Sequence, residues 1–108
     1  MRDKKVAGLL GRRIRALRKS KNLTQEQLGG RAGINYKHLG AIERGDENPS
    51  LSVLDKIADG LGVEILELFR FQHEETDPIK LRKMIADLVK DEKVDRLQLI
   101  LKIIKATK

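Results

Sequence analysis

The chain contains no cysteine and no tryptophan, and its only aromatic residues are Tyr36, Phe69 and Phe71. Without cysteine, disulfides and thiolate metal sites are excluded. With so few rings, any core must be aliphatic. No apolar run approaches the roughly 20 residues that a membrane-spanning helix needs. The opening stretch MRDKKVAGLLGRR lacks the apolar region of about 7–15 residues found in secretory signals. A cytoplasmic protein with no membrane partner is therefore expected. Acidic residues are nearly absent from the first fifth of the chain, where Asp3 alone is set against Arg2, Lys4, Lys5, Arg12, Arg13, Arg15, Arg18, Lys19 and Lys21. No internal repeat or low-complexity segment is evident.

Charge and aliphatic periodicity are what the sequence does have. Charged residues make up 36% of the 108 residues, and 23 basic against 16 acidic side chains leave a formal charge of +7. That excess points to a polyanionic partner, nucleic acid foremost. The length suits one domain, or a small domain with an appendage, and leaves little room for a deep catalytic cleft.

Val6, Leu9, Leu10, Ile14 and Leu17 recur at three- and four-residue spacing, which predicts an amphipathic helix from about residue 5 to 20. Arg12, Arg13, Arg15, Arg18 and Lys19 are assigned to its other faces. Thr24, with Gln27 three residues on, has the pattern of a capping box, and opens a short helix from Gln25 to about Ala32. Leu28 and Ala32 should point inward, and Gly33 should end the helix in the left-handed conformation. Asn35 can cap the next helix, in which Leu39 and Ile42 face inward and which stops at Gly45. This helix is weak: Gly40 in its middle costs about 1 kcal/mol against alanine. The segment DENPS is turn chemistry. Ser50 or Ser52 then starts a fourth helix with Leu51, Leu54, Ile57, Ala58 and Leu61 as its stripe, broken by Gly60 and Gly62. Ile65, Leu68 and Phe69 form a last short helical turn that closes the core.

Two short helices around a glycine-containing turn, over residues 25–44, make the pattern of a helix-turn-helix. In that arrangement the first helix crosses the DNA backbone and the second enters the major groove. Gly29, Gly30 and Ala32 are small enough to let the two helices cross closely. The segments LTQEQLGGRAGI, LGAIERG, NPSLSVLDKIADGLGV and LELF, in that order, resemble the Xre/Cro-type helix-turn-helix family of phage-repressor-like regulators over about residues 8–70. The resemblance implies an all-α fold with a five-helix repressor-like domain. It also implies a sequence-specific transcriptional regulator, a repressor in the first instance, that binds a palindromic operator as a dimer. By the same resemblance, Tyr36, Lys37, Gly40 and Ala41 match positions that face base edges. Gln25, which opens the first helix of the pair, matches a phosphate contact that braces the second. Asn35 and Arg44 match flanking positions near phosphate, and Glu43 and Gly45 the end of the reading helix, with Glu43 structural. Beside such a motif, phosphate contact also becomes the better assignment for Arg12, Lys19 or Lys21 and for His38.

Other chemistry is weakly supported. His38 beside Glu43 suggests a general base, but no nucleophile motif accompanies it. His73 beside Glu74 and Glu75 is one histidine in a charged linker, where a metal site needs three or four ligands. Neither an enzyme, a metal nor a cofactor is expected.

The family motifs end near Phe71. The polar segment RFQHEETDP shifts composition, so a domain of residues 1–71 is expected to pass through a linker, 72–77, into a two-helix hairpin, 78–108. Asp77 and Pro78 begin its first helix. The last helix is apolar around much of its surface and must be covered on several sides. Packing on the amino-terminal domain is one possibility. The preferred expectation is pairing with a second copy through Leu88, Val94, Leu97, Ile100, Leu101 and Ile104, which would supply the two-fold symmetry of two half-sites. The alternative is a DNA-binding chain, antitoxin-like or inhibitor-controlled, whose carboxyl-terminal helices bind a different regulatory protein.

Overall fold

A computed structural model describes residues 4–71 and the separate positions 79, 82, 83 and 86. Apart from those four positions the expected linker and hairpin, including Leu88, Val94, Leu97, Ile100, Leu101 and Ile104, lie outside the described residues. Within the described residues 4–71, four α-helices follow one another: α1 (Lys4–Ser20), α2 (Gln25–Ala32), α3 (Tyr36–Glu43) and α4 (Leu51–Leu61). The fifth helical element, Ile65–Phe69, is a 3-10 helix rather than an α-helix. Its bonds run from Glu67 N–H to the Glu64 carbonyl and from Arg70 N–H to the Glu67 carbonyl. A segment this short closes the fold with i→i+3 bonds more readily than with a full α-turn.

Each boundary has a local cause. Thr24 and Gln27 form the reciprocal capping box: the Gln27 N–H donates to Thr24 Oγ1 at 3.0 Å, and the Thr24 N–H to Gln27 Oε1 at 2.9 Å. Asn35 Oδ1 accepts from the Lys37 N–H at 2.7 Å, and Ser50 Oγ accepts from the Val53 N–H at 3.1 Å. Ser50, not Ser52, is therefore the cap of α4. Gly33, Gly45 and Gly62 follow α2, α3 and α4 with φ of 72°, 78° and 72°, a conformation costly to residues with a Cβ.

The core is aliphatic, as so few rings require. Leu10, Ile14, Leu28, Leu39, Ile42, Leu51, Leu54, Ile57, Leu61, Ile65 and Leu68 are all essentially inaccessible. Phe69 and Phe71 join them from the carboxyl side. Helical spacing on α1 and α4 is thus realised as packing. Gly60 departs from its expected role. It lies inside α4, where an added Cβ would stand 3.1 Å from both the Ala32 backbone nitrogen and Leu28 Cδ1. Gly60 therefore lets α4 lie close on α2, and only Gly62 ends the helix.

Candidate nucleic-acid interface

α2 and α3 are joined by three residues, Gly33, Ile34 and Asn35. The tightness of this turn depends on Gly29, where a Cβ would lie 2.8 Å from the Ile34 carbonyl oxygen. Gly30 meets nothing within 4 Å, and Ala32 faces Gly60 on α4. Of the two glycines expected to let α2 and α3 cross, only Gly29 has that function. α3 is seated by Leu39 and Ile42, both at 0% exposure. Two buried anchors explain how a helix of low propensity is held: tertiary packing outweighs its roughly 1 kcal/mol glycine penalty. The same phase turns Tyr36 and Lys37 outward, and leaves Ala41 and His38 part-exposed.

A buried ionic cluster fixes α3 against the other helices. Arg18 donates from Nε to Glu43 Oε2 at 2.7 Å and from Nη2 to Glu43 Oε1 at 3.0 Å, with Nη1 on the Leu23 carbonyl at 2.7 Å. Gln25 Nε2 donates to Glu43 Oε1 at 3.2 Å. Charged groups are buried only when paired and hydrogen-bonded, and this bidentate fork satisfies both partners. Three helices meet here: α1 gives Arg18, α2 gives Gln25 and α3 gives Glu43. The expectation that Arg18 belongs to an outward basic face is corrected. It stands four residues after Ile14 and eight after Leu10, on the buried stripe of α1, and that spacing was the available signal. The structural role expected for Glu43 acquires its partner. Glu43 does not pair with His38.

The six expected phosphate positions and four expected base-facing positions divide as follows. Tyr36 is 43% exposed, and Lys37, Asn35, Arg44, Arg12 and Lys19 are exposed. Gly40 is buried instead of open. A Cβ there would sit 3.3 Å from both Gln25 Oε1 and Arg44 Nη1. Because the position lacks a side chain, the first residue of α2 folds across it, and Gly40 is a seat for Gln25, not a surface of its own. Because a carboxylate can only accept, Glu43 dictates that the Gln25 amide turns its nitrogen inward. His38 Nδ1 lies 2.7 Å from Glu47 Oε2, and Arg44 Nε donates to Asp46 Oδ2 at 3.0 Å. Among the described residues, no three His, Asp or Glu side chains cluster as a metal site, and no helix is long and apolar enough to cross a membrane. His73 lies outside the described residues.

A short helix braced across a second, presenting its outer face beyond a three-residue turn, defines a helix-turn-helix. A sequence profile of that family, described as "Helix-turn-helix", matches residues 14–68, and the chain belongs to the Xre/Cro-type helix-turn-helix family of DNA-binding transcriptional regulators. It is 45% identical over 56 residues to the immunity repressor of Bacillus phage phi105, a match covering 52% of this chain and 39% of that protein. The crystal structure of the restriction-modification controller protein C.AhdI from Aeromonas hydrophila superposes with a TM-score of 0.57 at 39% identity, covering 57% of this chain and 94% of that one. A structure of the SinR protein/SinI protein complex is similar over 89% of this chain and 94% of that one, with TM-score 0.56 and 27% identity. The chain thus spans well under half of the phage repressor but nearly the full length of both solved chains.

Proposed function

We propose that the chain is a sequence-specific DNA-binding repressor, acting in the cytoplasm as a homodimer on a palindromic operator. The observation that carries this is the geometry of α3, anchored by Leu39 and Ile42 with Tyr36 and Lys37 outward. Lys37 has the reach to donate to guanine O6 and N7, while Tyr36 and the Ala41 methyl suit contact with thymine methyl groups. Gln25, Asn35, His38, Arg44, Arg12 and Lys19 hold the phosphates on either side. Direct readout is sparse, because Gly40 contributes no side chain and Ala41 only a methyl. The +7 charge supplies much of the affinity. Residues 78–108 join two copies so that two α3 helices reach successive major grooves, about 34–36 Å apart. The test is titration of a labelled duplex across a salt series. Log affinity should fall steeply with log salt, by about 0.9 per phosphate neutralised. A flat response would contradict the proposal.

A second reading assigns residues 78–108 to a different protein, which would control the DNA-binding part. The similarity to a chain solved in complex with another protein, over most of this chain, favours keeping it. Sedimentation of the purified chain separates the two. A dimer at micromolar concentration supports self-association, and a monomer supports a missing partner.

A further inference from the structure

We propose that Asp46 and Glu47, in the loop after α3, act as an internal phosphate mimic. They occupy the Arg44 and His38 groups assigned to phosphate and must be displaced when the chain engages DNA. The inference rests on the DNA-binding reading above and adds a regulating contact to it.

Two adjacent carboxylates each take a different side chain of the reading helix. Asp46 Oδ2 lies 3.0 Å from Arg44 Nε, and Glu47 Oε2 lies 2.7 Å from His38 Nδ1. His38 and Arg44 are six positions apart, near the two ends of α3, so the loop reaches both. Backbone bonds hold it in place. The Asp46 N–H donates to the Ala41 carbonyl and the Gly45 N–H to the Ile42 carbonyl, both at 3.0 Å, around the left-handed Gly45. The loop is thereby folded back over the end of the helix with its acids beside α3.

The chemistry of each pair matches that of a phosphate contact. Asp46 occupies the Nε edge of the Arg44 guanidinium, which a phosphate would use, while Arg44 Nη1 lies beside Gly40. Glu47 as a carboxylate can only accept, so the His38 proton must stand on Nδ1. In the neutral ring that leaves Nε2 as an acceptor, which cannot donate to a phosphate. Both pairs are open to solvent. The side chains of His38 and Glu47 are 39% and 49% exposed, and those of Arg44 and Asp46 are 64% and 62%. Pairs of this kind are weak and exchange readily. They therefore weaken DNA binding by competition and do not block it.

The experiment is a double-mutant cycle read by fluorescence anisotropy with a labelled duplex of random sequence. The Asp46→Asn/Glu47→Gln chain should bind about three- to tenfold more tightly than the wild type at low salt, the range two exposed polar pairs and the loss of two negative charges can supply. That gain should shrink as salt rises. An equal charge change at the opposite end of α4, Asp59→Asn/Glu64→Gln, reports the long-range contribution and should give a smaller gain. In an Arg44→Ala/His38→Ala background, the loop substitutions should fall to the level of that control. Wild-type binding with a loop gain no larger than the control, or with a loss, overturns the mimic and leaves the DNA-binding reading standing. Absence of binding by every chain overturns both. Circular dichroism of each variant confirms that it is folded.

Discussion

Gly11 on α1 is the position where one added methyl should matter most. A Cβ there would stand 2.4 Å from the Ile42 carbonyl oxygen, 2.6 Å from the Glu43 carbonyl oxygen and 2.9 Å from the Glu43 carbonyl carbon. All three atoms are α3 backbone, so no side chain can rotate out of the way. Restoring ordinary contact requires α1 and α3 to separate by about 1 Å, in an interior packed like an organic crystal. The same interface holds Leu39 and Ile42 and the Arg18–Glu43 pair. Overpacking of this kind costs about 1–3 kcal/mol, occasionally more. Alanine returns up to about 1 kcal/mol of helix propensity. Gly11→Ala should therefore destabilise by a net of about 1–2 kcal/mol. At about 4–8 °C per kcal/mol for a domain of this size, its midpoint should fall by roughly 5–15 °C. Gly30→Ala is the matched control. Gly30 is exposed inside α2 with nothing within 4 Å of an added Cβ, so the same substitution should stabilise by about 0.5–1 kcal/mol. Urea unfolding followed by circular dichroism measures both. A Gly11→Ala chain as stable as wild type would refute the close α1–α3 approach.

Arg18→Met should leave Glu43 buried without its cation and cost about 3–5 kcal/mol. Adding Glu43→Leu should recover much of that loss in the same unfolding assay. Thr24→Ala removes the hydroxyl that accepts the Gln27 N–H and should cost about 1 kcal/mol without altering the fold, as judged by its far-ultraviolet spectrum. Lys37→Ala, at an exposed position, should leave stability within about 0.5 kcal/mol but weaken specific duplex binding by about 1–3 kcal/mol. A chain ending after Phe71 should sediment as a monomer and bind DNA more weakly; a truncated dimer would remove residues 78–108 from the interface.

What was legible beforehand was what depends on near neighbours. Thr24 with Gln27, Asn35, Gly33 and Gly62 act over four residues or fewer, and their roles follow from the backbone groups a helix end leaves open. Leu39 and Ile42 set the phase of α3 and, with it, which residues turn outward. Contacts made across the fold were harder to see. Arg18 and Glu43 are 25 residues apart; the spacing of Arg18 from Leu10 and Ile14 puts it on the buried stripe of α1, but nothing local reveals the carboxylate that meets it there. The cover that Gln25 places over Gly40 requires the crossing of α2 and α3, which periodicity does not supply. Gly60 looked like a breaker because a glycine near a helix end has two explanations, termination and close packing, and only the position of α2 separates them. The pairs His38–Glu47 and Arg44–Asp46 depend on how the loop folds back after Gly45.

Selection of bound duplexes from a random library, with wild-type and Lys37→Ala chains in parallel, tests most directly whether α3 reads DNA. The wild type should enrich one two-fold-symmetric sequence, and Lys37→Ala should lose the preference at one base position in each half while keeping the rest. No enrichment by the wild type, or an identical sequence enriched by both chains, would contradict the assignment of α3 as the reading helix.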